Sequence, residues 1–222
     1  MLDESNKLMI SSSPVIPACL ARTAEDFSRR LKFAEDVSNS IHIDVVDGEF
    51  CSGESLSVQQ WGKLSLNYVE AHLMVSEPIK YLEALKQHQV TRAIFHLESN
   101  FDLDQMLSLA RSLDLLLGVA INPDTDLNKL KAVAESVNYI QLMGVYPGKT
   151  GQQQLSQTDD SLRFLRSTYN RKTLTVDGGV NLDNASRLRD SGADFIVASS
   201  FLYDKGDWHE NYQKLVSVFK PR

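Results

Sequence analysis

The stretch SIHIDVV, residues 40–46, is one of eight short apolar, β-branched runs along this chain. A run of this kind that is followed by a turn signal predicts a buried β-strand. Segments with helical spacing lie between the runs, and several begin at residues typical of helix N-termini. The eight runs are VIPACL (15–20), SIHIDVV (40–46), YVEAHLMV (68–75), TRAIFHLE (91–98), LLLGVAI (115–121), VNYIQLMGV (137–145), KTLTVD (172–177) and DFIVASS (194–200).

Eight strand–helix units within 222 residues predict an α/β fold, the (β/α)8 TIM barrel. A doubly wound open sheet is the alternative, but its first βα turn is often glycine-rich, and here that turn reads ACLARTAED. Since no linker or low-complexity segment divides the chain, we expect one domain over residues 1–222, with residues 1–13 as a flexible or irregular extension. Helices are predicted at 24–37, 78–88, 102–113, 126–135, 158–169, 181–190 and 208–219, with a weaker one at 55–65.

The composition argues against several classes of protein. Hydrophobic residues make up 42% and charged residues 23%, as in ordinary globular chains, and the formal net charge of −6 disfavours a broad nucleic-acid surface. Two cysteines without a C-x-x-C motif do not form a disulfide scaffold. No apolar run approaches a membrane span of about 18 residues, and the N-terminus lacks the apolar segment of a signal peptide. We expect a cytoplasmic protein that binds neither nucleic acid nor membrane.

Polar side chains occupy the carboxyl ends of several predicted strands, where barrel enzymes carry their chemistry. Alternate strand residues share a face, so His42 and Asp44 point the same way, into the barrel, and His72 and Asp177 do so on their own strands. Buried carboxylates are costly unless they are paired or bind a metal. Any one of the four could be a structural core residue, but together they form an N/O set suited to Zn²⁺, Fe²⁺ or Mn²⁺. Other polar residues at these ends are His96, Glu98, Ser199 and Ser200.

Six segments resemble motifs of the ribulose-phosphate 3-epimerase family, in the order in which that family carries them. Each motif is moderately specific, and their ordered combination is strong. The resemblance extends from about residue 15 to residue 203. The segments are IHIDVVDGEF (41–50), AHLMVSEP (71–78), GVAINPDT (118–125), LMGVYPGKTGQ (142–152), VDGGVN (176–181) and GADFIVASS (192–200).

The resemblance implies an isomerase of carbohydrate metabolism, in the pentose phosphate pathway, that interconverts D-ribulose 5-phosphate and D-xylulose 5-phosphate. It implies one divalent metal ion (Zn, Fe, Mn or Co) held by His42, Asp44, His72 and Asp177. Asp44 and Asp177 would also be the acid/base pair that inverts C3 through a metal-stabilised enediolate. Met74 and Met143 would line the intermediate, and a homo-oligomer is expected because family members commonly form one.

The stretch MGVYPGKTGQ, residues 143–152, looks at first like a nucleotide-binding P-loop. It has one residue too few between its first glycine and the Gly-Lys pair, and Pro147 lacks an N–H. We interpret it as the loop after the sixth strand, which contacts the phosphate of a sugar substrate. Glycines allow close backbone approach to an anion, a lysine adds charge, and hydroxyls donate hydrogen bonds. The predicted contacts are Gly148, Lys149, Thr150, Gly151, Gly178, Gly179, Ser199 and Ser200.

The chain departs from the family pattern mainly around the substrate. Ala18 replaces a substrate-contacting serine, Val46 a methionine and Ser199 a glycine, and the loop after the second strand carries Glu49 and Cys51. These changes leave open an epimerase for a hexulose 6-phosphate, such as allulose 6-phosphate, or a degenerate, non-catalytic barrel that binds sugar phosphate. A decarboxylase or aldolase with D-x-K-x-x-D is disfavoured, because Val46 stands in place of the lysine.

Overall fold

Eight parallel strands close into a barrel in chain order, with the first strand paired to the last. The computed structural model describes residues 11, 13–148 and 151–220, and it confirms the single-domain (β/α)8 barrel. Every strand lies within one of the eight apolar runs. The strands are β1 Val15–Cys19, β2 Ser40–Val46, β3 Tyr68–Met74, β4 Arg92–His96, β5 Leu116–Ile121, β6 Tyr139–Met143, β7 Thr173–Asp177 and β8 Phe195–Ala198.

Helices follow the strands near their predicted positions. Thr23, Asp102, Asn181 and Asp207 cap helix N-termini by accepting backbone N–H groups. The helices are α1 Ala24–Val37, α2 Leu82–Gln87, α3 Leu103–Ser112, α4 Lys131–Ala134, α5 Thr158–Thr168, α6 Leu182–Ser191, α7 Ser200–Tyr203 and α8 Trp208–Val218.

Three helix predictions need correction. The segments at 78–88 and 126–135 begin as 3₁₀ turns, Pro78–Tyr81 and Leu127–Leu130, before they continue as α2 and α4. The predicted helix at 55–65 is reduced to the 3₁₀ turn Val58–Gln60. Helix α7 was not predicted, because its first residue, Ser200, is the last residue of the apolar run that predicted the eighth strand.

Alternation along the strands separates two environments. Ile41, Ile43 and Val45 of β2 belong to the large apolar core between the barrel and its helices. The residues between them face the barrel interior, where the register places Asp44 of β2 beside His72 of β3. Parallel strands covered by helices explain this arrangement, since one face packs on the helices and the other fills the barrel.

The prediction about the N-terminal end of the chain stays open. The proposed extension over residues 1–13 falls largely outside the described residues. In the part of the chain that the structure describes, no helix is both long and apolar enough to cross a membrane.

Candidate active site

The carboxyl ends of the strands surround a cavity of about 60 Å³. His42 and His72 are fully buried and contact two of the carboxylates that line it. Lys149 and Thr150, predicted to bind phosphate, lie outside the described residues. The predicted site residues that line the cavity are Asp44, Met74, Met143, Gly148, Gly151, Asp177, Gly178, Gly179, Ser199 and Ser200.

His42, Asp44, His72 and Asp177 form one compact cluster. Each offers one nitrogen or carboxylate oxygen, and these atoms all lie within 4.8 Å of one another. His42 Nε2 is 3.5 Å from Asp44 Oδ1 and 3.5 Å from Asp177 Oδ2, while His72 Nδ1 is 3.0 Å and 3.4 Å from the same two oxygens. The cluster could therefore hold a metal ion, and it joins β2 and β3 to β7, which lies across the barrel.

The charges of the cluster depend on one another. Burial by itself would lower the pKa of His42, but the nearby carboxylates of Asp177, Asp44 and Glu70 outweigh it and hold that pKa well above its usual range. Burial would likewise raise the pKa of Asp44, yet the adjacent imidazoles of His42 and His72 lower it instead. Asp44 is therefore an anion in a site that attracts positive charge.

Glu70, Tyr68 and Arg92 are buried contacts that sequence reasoning missed. Glu70 is completely buried on β3, and His42 Nδ1 lies 2.6 Å from its Oε1. The Tyr68 hydroxyl donates to Glu70 Oε2 over 2.6 Å, and Arg92 donates to the oxygen of Tyr68. Burial would raise the pKa of Glu70, but the hydrogen bond from His42 lowers it overall. The available signal was spacing, because Glu70 is two residues before His72 and so shares its face.

His96 and Glu98 form a second set of contacts behind the cluster. His72 Nε2 lies 2.8 Å from His96 Nε2, and His96 Nδ1 lies 3.1 Å from Glu98 Oε2. The ring of Phe50 packs on His96 with 4.6 Å between ring centroids. Burial lowers the pKa of His96 to about 4, so its imidazole is neutral near pH 7. The sequence placed both residues at a strand end without giving them a role.

Gln141 is another buried side chain that the sequence did not single out. Its Nε2 donates to Asp177 Oδ2 over 3.1 Å and lies 3.5 Å from Met143 Sδ. It occupies β6 two residues before Met143 and so points into the barrel on the same face. Gln141 therefore orients one carboxylate of the cluster from the neighbouring strand.

Glycines at this end of the barrel hold its loops close together. Gly178 and Gly179 have φ of 103° and 69°, a region that favours glycine. A Cβ on Gly178 would lie 2.5 Å from Val145 Cγ2, and one on Gly179 would lie 2.6 Å from Gln154 N. Loop packing therefore already requires both glycines, and their proposed contact with an anion stays a prediction.

Gly144→Ala is expected to destabilise the fold by about 1–3 kcal/mol, the usual penalty for overpacking. The added Cβ would overlap the carbonyl oxygen of Gly178, a backbone atom that cannot rotate away. Urea unfolding measures the change. Gly62→Ala is the matched control, since a Cβ there would meet no atom within 4 Å. Equal losses in the two variants would contradict the predicted clash.

The departures from the family pattern lie in the cavity wall or beside it. Ala18 pairs with His42 across β1 and β2 and lines the cavity, as does Ser199 after β8. A Cβ on Gly148 would lie 2.9 Å from Cys51 Sγ, so the loops after β2 and β6 touch. Ala18 and Ser199 therefore border the space that a substrate would fill.

Comparison with known proteins agrees with this geometry. The model of the ribulose-phosphate 3 epimerase family matches residues 13–203. A ribulose-phosphate 3-epimerase of Chlamydia pneumoniae is 30% identical over 184 residues, which cover 78% of this chain and 80% of that protein. The Escherichia coli K12 enzyme of the same name is 29% identical over 223 residues, or 96% of each chain.

A solved structure supports the fold alone. The 3-hexulose-6-phosphate synthase from Salmonella typhimurium has a TM-score of 0.71 at 13% identity, over 93% of this chain and 98% of that one. A (β/α)8 barrel with a polar cavity at the carboxyl ends of its strands defines the class of barrel enzymes. Within that class, the chain belongs to the ribulose-phosphate 3 epimerase family and is an isomerase.

Proposed function

We propose that this chain interconverts D-ribulose 5-phosphate and D-xylulose 5-phosphate by exchanging the proton at C3. The observation that carries the proposal is the cluster of His42, Asp44, His72 and Asp177, whose two carboxylates line one cavity. Family membership supports pentose-phosphate epimerisation as the chemistry. Inverting C3 needs a proton acceptor on one face of the carbon and a donor on the other.

The cluster fits a divalent cation. His42 Nε2 is buried and has no hydrogen-bond partner among the described residues. The barrel interior holds three carboxylates (Asp44, Glu70 and Asp177) and the buried guanidinium of Arg92, so a neutral His42 leaves an excess of two negative charges among these groups. Two imidazoles and two carboxylates also suit Zn²⁺, Fe²⁺, Mn²⁺ or Co²⁺. A cation bound there would act as a Lewis acid toward the negative charge that develops on the substrate.

Asp44 and Asp177 would carry the proton transfer. Asp44 takes the C3 proton on one face, and Asp177 returns a proton from the other. Gln141 holds Asp177 by a hydrogen bond of 3.1 Å, so that this carboxylate keeps one orientation. Met74 and Met143, both buried, would keep water away from the reacting carbons. Lys149 and Thr150 stay predicted phosphate contacts on sequence grounds.

A hexulose 6-phosphate is the second candidate substrate. Ala18 lines the cavity beside His42, and its side chain is smaller than the serine that the family pattern carries there. The lost hydroxyl favours a substrate with a different pattern of hydroxyl groups. A homo-oligomer and a cytoplasmic location also remain predictions.

The test is solvent exchange at C3 in D₂O, followed by NMR with a panel of ketose phosphates. Ribulose 5-phosphate is expected to gain deuterium at C3 and to yield xylulose 5-phosphate. Faster exchange with allulose 6-phosphate would favour the second candidate. No exchange with any member of the panel, in metal-loaded protein, would contradict both and leave a non-catalytic barrel.

A further inference from the structure

A chain of buried hydrogen bonds ends on His42. Arginine only donates, so the Tyr68 oxygen accepts from Arg92, and the single hydroxyl proton of Tyr68 goes to Glu70. An ionised carboxylate only accepts, so the 2.6 Å contact between Glu70 Oε1 and His42 Nδ1 requires a proton on that nitrogen. A neutral His42 therefore carries its lone pair on Nε2, which faces Asp44 and Asp177.

A second chain of hydrogen bonds ends on His72. Glu98 Oε1 accepts from the backbone N–H of Asn122 and from the Thr125 hydroxyl, and Oε2 faces His96 Nδ1 at 3.1 Å. A carboxylate there requires a proton on His96 Nδ1, so a neutral His96 carries its lone pair on Nε2. The 2.8 Å contact with His72 Nε2 then requires the proton of His72 on Nε2.

The opposite placement of protons on His72 and His96 brings two hydrogen-bond acceptors together. If His72 instead carried its proton on Nδ1, toward Asp44, then His96 would have to donate from Nε2. A neutral His96 would then turn the lone pair of Nδ1 toward the Glu98 carboxylate, which places two acceptors 3.1 Å apart. A cation between His72 and Asp44 removes the need for a proton there and so favours the first arrangement.

We propose that Glu70 and Glu98 are positioning residues that fix opposite tautomers in the two histidines, so that His42 offers Nε2 and His72 offers Nδ1 to one cation. The proposal rests on the metal site of the proposed function. Arg92 has its own part, because it holds Tyr68 and compensates the buried charge of Glu70. Glu98 acts at greater distance, through the neutral ring of His96.

The direct test is the tautomer of each ring in zinc-loaded protein labelled with ¹⁵N-histidine. Two-bond ¹H–¹⁵N correlations are expected to place the proton on Nδ1 and zinc on Nε2 in His42. His72 is expected to have the reverse arrangement, and His96 a proton on Nδ1. Zinc bound with either His42 or His72 in the other tautomer would overturn this inference alone. Absence of zinc binding would overturn the proposed metal site, and this inference with it.

Zinc affinity gives a second readout that a purely structural role would not change. Glu70→Gln is expected to raise the zinc Kd about 10- to 100-fold, and Glu98→Gln about 10-fold, the range for residues that orient a metal ligand. Glu49→Gln is the matched control and should keep the wild-type Kd, since Glu49 bonds Ser76 at the rim.

Comparing two variants distinguishes a loss of folding from a loss of zinc affinity. Glu70→Gln leaves the charge of Arg92 uncompensated, so this variant alone could fail to fold. The Glu98 side chain is 23% exposed, so Glu98→Gln disturbs the core less. Wild-type zinc affinity in folded Glu98→Gln would overturn the role of Glu98. Lowered thermal stability with unchanged zinc affinity in Glu70→Gln would reduce Glu70 to a structural residue.

Discussion

Asp177→Asn is expected to lower kcat for epimerisation by about 10² to 10⁴-fold, the usual contribution of one positioned acid/base group. Asparagine keeps an oxygen that can contact a cation and Gln141, but it neither takes up nor releases the C3 proton. Asp44→Asn is expected to have an effect of the same size. Initial rates with metal-loaded protein measure both, with the metal content of each variant determined in parallel.

Isotope exchange separates the two carboxylates. With two bases, each deprotonates one epimer, so Asp44→Asn should lose C3 exchange with one ketose and retain it with the other. Asp177→Asn should have the opposite preference. Equal loss of exchange with both epimers in both metal-loaded variants would contradict the assignment of the two faces.

Removal of the metal by a chelator is expected to abolish C3 exchange, and added Zn²⁺, Mn²⁺, Fe²⁺ or Co²⁺ should restore it. A cation bound by two histidines and two carboxylates from three strands would also stabilise the fold. At about 100 times its Kd, a bound cation adds about 2.7 kcal/mol to the free energy of unfolding. Metal analysis should find about one ion per chain, and denaturant unfolding measures the gain.

His42→Ala should lose both the metal and this gain in stability, whereas His209→Ala should keep them. His209 is an exposed histidine of α8 that touches Phe33 and lies outside the cluster. The pKa of His42 is raised in the metal-free chain, and a cation must displace its proton. The apparent Kd should therefore rise as the pH falls below that pKa. An unchanged metal content in His42→Ala would contradict the proposed ligand set.

Particular residues show how much of the candidate site could be predicted from the sequence. The alternation in SIHIDVV placed His42 and Asp44 on the inner face, and the structure brings both to the cluster. The same rule applied to YVEAHLMV would have placed Glu70 inside the barrel. The sequence, however, does not show which residues contact a charged side chain in an apolar run. Its partner Tyr139 comes from β6, and Arg92 of β4 reaches it through Tyr68, so only barrel closure brings these residues around it.

The sequence by itself determined the eight strand–helix units, the inward face of each polar pair and the family to which the motifs belong. These features follow from local periodicity and from residue identity, which a linear chain records directly. The tertiary structure alone decided that Asp177 of β7 lies beside Asp44 of β2, that Glu70 contacts His42 and His96 contacts His72, and that loop packing requires Gly178 and Gly179. Such contacts depend on the register and closure of the barrel, which bring together side chains far apart in the chain.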